Sequence, residues 1–145
     1  MTPTLLGRWQ TRLFLFATVG LLITLPFYWG IISPNTGFPS YPVFFRILAY
    51  VVLFGLGWDI LYNYLQKFRW DRDWPGVLQL LAGIWEGGFL LSIVKLFGLP
   101  SIPKEVSPLW FIIHYSLVWL GVYVASQSLM RIVFPRWRFR GGRLI

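Results

Sequence analysis

Four long apolar stretches fill most of this 145-residue chain, and its basic residues gather on alternate sides of them. A segment of about 20 apolar residues, rising ~1.5 Å each, matches the ~30 Å hydrocarbon core of a bilayer. In that solvent every backbone N–H and C=O must be satisfied within the segment, and a helix does this. The pattern predicts an all-α integral membrane protein: a bundle of four transmembrane helices forming a single membrane domain over residues 1–145.

Composition points the same way. Hydrophobic residues make up 57% of the chain and charged residues 12%, too little charge to cover a water-soluble surface. Trp, Tyr and Phe are abundant where apolar runs begin or end, which is the headgroup layer that amphipathic rings prefer. With no cysteine, disulfides, thiolate metal sites and thiol catalysis are excluded. The net charge of +8 lies mostly at the ends of apolar runs, so orientation in a membrane accounts for it better than nucleic acid does.

The spans are predicted at about 13–32, 42–65, 75–97 and 108–134, with a basic tail over 135–145. Arg8 and Arg12 flank the first, which is expected to kink at Pro26. The turn-forming linker from Ser33 to Ser40 follows it. Pro75 and the Ser107-Pro108 pair suit helix starts. Lys and Arg number two before the first span, three in the middle loop and five from Arg131 onward, which is ten of thirteen. By the positive-inside rule both termini and the middle loop face the cytoplasm. A multi-pass protein of a bacterial-type inner membrane, a plasma membrane or an equivalent organelle membrane is expected.

Asp59 and Glu86 are carboxylates inside predicted spans, where an acid costs about 2.5–3.5 kcal/mol and needs compensation. Counted from the predicted cytoplasmic ends, Asp59 lies about 10 Å deep and Glu86 about 18 Å deep. The same count groups Asp59, Gln79, Gln127 and Arg131 in one polar layer, with Glu86 and Tyr123 near the midplane. Two readings follow. The groups are interhelical glue, pairing Asp59 with Arg131 and Glu86 with Tyr123 or Gln127, or they line a cavity in which Glu86 is a protonatable site. Gly55, Gly83, Gly87 and Gly121 lie on small-residue faces that let another helix approach closely. His114, the only histidine, is a packing residue or a ligand lacking a visible second donor. No metal site or cofactor is expected.

The middle loop carries Arg69, Trp70 and Arg72 among Asp71 and Asp73. The tail alternates Arg136, Trp137, Arg138 and Arg140 with aromatics. Both suit anionic headgroups of the cytoplasmic leaflet, at about 1 kcal/mol per basic residue, or a soluble partner. Phosphate-binding glycine loops, His/Glu zinc motifs and nucleophile elbows are absent. The leading expectation is a non-enzymatic accessory or assembly subunit, homo-oligomeric or joined to other membrane subunits. The alternatives are a small proton- or cation-linked transporter or channel using Glu86 and Asp59, and a lipid- or pigment-handling protein.

Overall fold

The computed structural model describes residues 3–32 and 42–136. The Ser33–Ser40 linker and the tail residues Trp137, Arg138 and Arg140 therefore lie outside the described residues. Helix α1 (Leu5–Leu15) opens on Thr4, whose hydroxyl accepts the Gly7 N–H at 3.1 Å and so satisfies a donor the first turn leaves over. A wide π turn, Phe16–Gly20, carries it into α2 (Leu21–Tyr28).

The sequence places the first span at 13–32 with its arginines outside. The helix instead begins at Leu5 and encloses Arg8 and Arg12. Hydropathy treats a charge as an end, but a capped helix continues as long as it can turn that charge inward. Arg8, Arg12, Phe16, Gly20 and Thr24 recur at every fourth position, and an α-helix of 3.6 residues per turn would carry such a row off one face. The wider π turn counters that drift. This irregularity precedes Pro26, where the kink was expected; Pro26 lies within α2.

Helix α3 (Val43–Leu65) tightens into a 3-10 turn at Gln66–Phe68. Helix α4 (Gly76–Leu96) follows Pro75. Helix α5 (Pro108–Gln127) starts on Pro108, whose missing N–H costs nothing there. A break at Ser128 leads to the short α6 (Leu129–Val133). Among the described residues four helical runs, Leu5–Tyr28, Val43–Phe68, Gly76–Leu96 and Pro108–Val133, are long and apolar enough to cross a membrane. Among the described residues there is no strand, only an isolated bridge between Leu99 and Ile102.

The core joins Leu15, Ile47, Val51, Leu90, Val94, Phe111 and Val118. Large apolar side chains such as Leu22, Leu53, Ile84, Leu120 and Val124 point outward, an arrangement suited to hydrocarbon and costly in water. The glycine faces are filled from within. A Cβ at Gly55 would overlap the Arg12 side chain, one at Gly83 the Trp119 indole, one at Gly87 the Tyr115 ring and one at Gly121 Ile23. Glycine there admits broad side chains of this same chain. Gly57 and Gly88 face open space instead.

At the end of the bundle away from Arg8, the segment between α4 and α5 folds back as a cap. Ile102 and Val106 are buried. Arg46 donates to the Ser101 carbonyl at 2.9 Å and Tyr50 to that of Pro100 at 3.1 Å. Lys95 donates to the carbonyls of Lys104 and Val106, and Lys104 to that of Leu96. The three basic residues that fall outside the ten-of-thirteen tally thus donate from their side chains to backbone carbonyls in and beside this turn.

Candidate functional site

Arg12 on α1 meets both acids that lie within the long apolar helices. Its Nε donates to Asp59 Oδ2 at 2.8 Å and its Nη2 to Asp59 Oδ1 at 3.1 Å. Its Nη1 donates to Glu86 Oε2 at 3.0 Å and its Nη2 also to Glu86 Oε1 at 3.1 Å. One planar guanidinium therefore engages all four carboxylate oxygens and ties α1, α3 and α4 together, a use of fixed fork geometry that lysine cannot reproduce. The side chains are 11% exposed for Arg12 and 6% for each acid. The cluster has one cation and two carboxylates, so with both acids ionised it carries one excess negative charge. In a low-dielectric interior that is an environment that attracts a proton or a small cation.

The pairings expected from sequence are replaced. Asp59 bonds Arg12, not Arg131, and Glu86 bonds Arg12, not Tyr123 or Gln127. The physical reason is the earlier helix start. Measured from Leu5, Arg12 lies about 10 Å in, the depth counted for Asp59. Two buried acids call for a buried cation, and that requirement was the signal in the sequence. It was masked because Arg12 was counted as a flank.

The remaining polar residues form a second layer. Gln79 donates to Ser126 Oγ at 3.0 Å and accepts from Gln127 at 3.1 Å, while Arg131 donates to Gln127 Oε1. Gln79, Gln127 and Arg131 are thus brought together, and Asp59 is not part of that chain. Tyr123 packs edge-on against Trp119, with its hydroxyl by Gly76, away from Glu86. Arg8 donates to Gln66 Oε1 at 2.6 Å and stacks over Trp74 at 4.9 Å. Gln66 in turn donates to the Pro3 carbonyl.

Between these layers lies a cavity of about 110 Å³. Arg8, Trp74, Arg131 and Pro135 stand where helices end, and Glu86 and Trp119 stand near helix middles; all six line it. Its walls also include Arg12, Asp59, Tyr62, Gln79 and Ser126, against apolar Leu15, Phe16, Val122 and Met130. Arg8, Arg12, Thr11, Tyr62 and Trp119 are contributions that reading the sequence missed.

His114 sits elsewhere. It is 1% exposed, packed between Phe27 and Phe44 with ring centroids 5.0 Å from each. The Thr24 hydroxyl donates to Gly20 O, so the 3.0 Å contact from His114 Nε2 is a donation to Thr24. That tautomer leaves Nδ1 as an acceptor inside an aromatic shell. Groupings of three or more His, Asp or Glu that could hold a metal are absent among the described residues.

In the middle loop Arg69 grips Asp71 with two bonds of 3.1 and 2.9 Å. Asp71 also accepts from the Asp73 N–H, and Asp73 from the Trp74 N–H. The bond from Arg69 holds the Asp71 carboxyl below the usual carboxylate range. Trp70 is almost wholly exposed, and Arg72 and Arg136 are exposed as well.

Fold and cavity together define a small all-helical protein with four helices long and apolar enough to cross a membrane and a charged cluster on the wall of an internal cavity. No family model, curated protein or solved structure matches the chain.

Proposed function

We propose that this chain is a small membrane carrier or channel, proton- or cation-linked, whose working part is the Arg12–Asp59–Glu86 cluster and the cavity beside it. The observation that carries the reading is the convergence of two acids from different helices on one arginine, next to space large enough for small solutes. Neutralising or binding a cation at either acid changes its hold on Arg12 and therefore the contact between α1 and its neighbours. A coupled carrier needs such a link between ligand state and helix arrangement. The reading takes both termini and the 66–74 loop as cytoplasmic, with Arg69, Arg72 and Arg136 near anionic headgroups.

Purified protein in liposomes loaded with a pH-sensitive dye tests this. An imposed pH or cation gradient should drive flux in the wild type, and Glu86→Gln should abolish it. Equal flux in the variant and the wild type would remove the central residue from the mechanism.

A second reading, the non-enzymatic accessory subunit, is favoured by a different observation: Arg12 already occupies every carboxylate oxygen, as a purely structural clamp would. It expects Glu86→Gln to lower stability without changing any flux, and a partner subunit to co-purify.

A further inference from the structure

Thr11 Oγ1 and Trp119 Nε1 are buried without a hydrogen-bond partner, and both residues line the cavity beside the cluster. The Tyr62 hydroxyl faces the Glu86 carboxylate from the same wall. Orphaned polar groups of this kind cost free energy unless something in the cavity bonds them. Water is the guest that satisfies donors and acceptors alike. Each molecule needs about 10–15 Å³ and two to four polar neighbours, so about 110 Å³ accommodates several. The other end of the bundle has the opposite character. Val94, Ile102, Val106 and Phe111 are buried there at 3% exposure or less, under the turn held by Arg46, Tyr50 and Lys95.

From these two ends we infer that the cavity is a hydrated half-channel: water enters from the end carrying Arg8 and Arg131 and reaches Glu86, while the cap at 98–106 keeps water out of the opposite half. Its ligands are water and the protons or small cations that travel through it. Glu86 is faced by Arg12 from α1, Asp59 and Tyr62 from α3 and Tyr115 from α5. A proton arriving by this path meets the cluster from one side only. The inference rests on the carrier reading for its purpose, but the hydration it asserts is separately measurable.

The chain has no cysteine, so single thiols can be introduced without background. Ala82→Cys and Ser126→Cys place a thiol on the cavity wall, and Leu90→Cys places one in the apolar core at 2% exposure. In vesicles of known orientation the probe is a membrane-impermeant, positively charged methanethiosulfonate, which reacts with the thiolate and therefore needs water at the site. Positions 82 and 126 should react from the face carrying Arg8 and Arg131, about tenfold or more faster than position 90, and not from the other face. Ser101→Cys should react from the cap side only. Both cavity thiols unreactive from either face would show a dry cavity and overturn the inference; reaction from both faces would show that the cap does not seal and would overturn it equally. Size-exclusion profiles identify any variant that misfolds, and two cavity positions guard against losing one. One-sided reactivity without Glu86-dependent flux keeps the half-channel and drops the carrier. Flux with unreactive thiols does the reverse.

Discussion

Replacing Arg12 by methionine separates a structural arginine from a flanking one. Methionine keeps an unbranched apolar stem but lacks the guanidinium, so the variant loses four hydrogen bonds of 2.8 to 3.1 Å and strands two carboxylates that are each 6% exposed. An ordinary interhelical polar contact contributes about 0.6 kcal/mol. Removing one partner of a buried ion pair costs about 3–5 kcal/mol, because the charge left behind has no compensation. The second figure applies, since the acids remain in place. Asp59→Asn leaves a neutral Arg12–Glu86 pair and should cost less, about 1.5–3 kcal/mol for the charge-assisted bonds lost. The triple variant Arg12→Met, Asp59→Asn, Glu86→Gln has no stranded charge and should recover part of the loss in Arg12→Met. The assay is reversible unfolding in mixed micelles, titrating a denaturing detergent and following far-UV circular dichroism and tryptophan fluorescence. A loss below about 1 kcal/mol for Arg12→Met, close to an ordinary contact, would refute the clamp, as would a triple variant less stable than the single one.

Other expectations use different parts of the fold. Gly83→Ala puts a Cβ into the Trp119 indole and should cost about 1–3 kcal/mol, whereas Gly88→Ala meets nothing and should gain up to about 1 kcal/mol of helix propensity; the same unfolding assay ranks them, and equal effects would contradict the packing. Lys95→Met removes the donor to two cap carbonyls, so amide hydrogens over 99–106 should exchange faster while those in α3 stay protected. Arg69→Gln removes the group that depresses Asp71, so the Asp71 carboxyl should titrate at higher pH by carbon NMR. Because the folded value is the lowered one, the Arg69–Asp71 contribution is present above the ordinary aspartate range and fades as pH falls through the depressed value. In the variant that contribution is absent, and only the part due to the Asp73 N–H remains.

The helical framework was legible because hydropathy is a local sum over about twenty residues, and Pro75 and Pro108 mark starts by chemistry contained within a turn, although the Ser107 side chain makes no capping bond. Four apolar helices follow from that alone, as does the need to compensate Asp59 and Glu86. Which cation compensates them was not legible. That choice depends on the depth and rotation of α1, set by the Thr4 cap and the wide turn at Phe16–Gly20, and hydropathy reports neither. The glycines show the same limit. A small-residue face signals close approach but does not name what approaches, and here Arg12, Trp119, Tyr115 and Ile23 of the same chain take the space. His114 likewise acquires its Thr24 partner and aromatic shell only when α2 and α5 pack together. Sequence alone determined the number of apolar helices and the loops between them, since each depends on neighbouring residues. The tertiary structure alone decided the Arg12 clamp, the cavity and the cap, because each is a meeting of side chains far apart along the chain, placed by helix rotation to within a fraction of a turn.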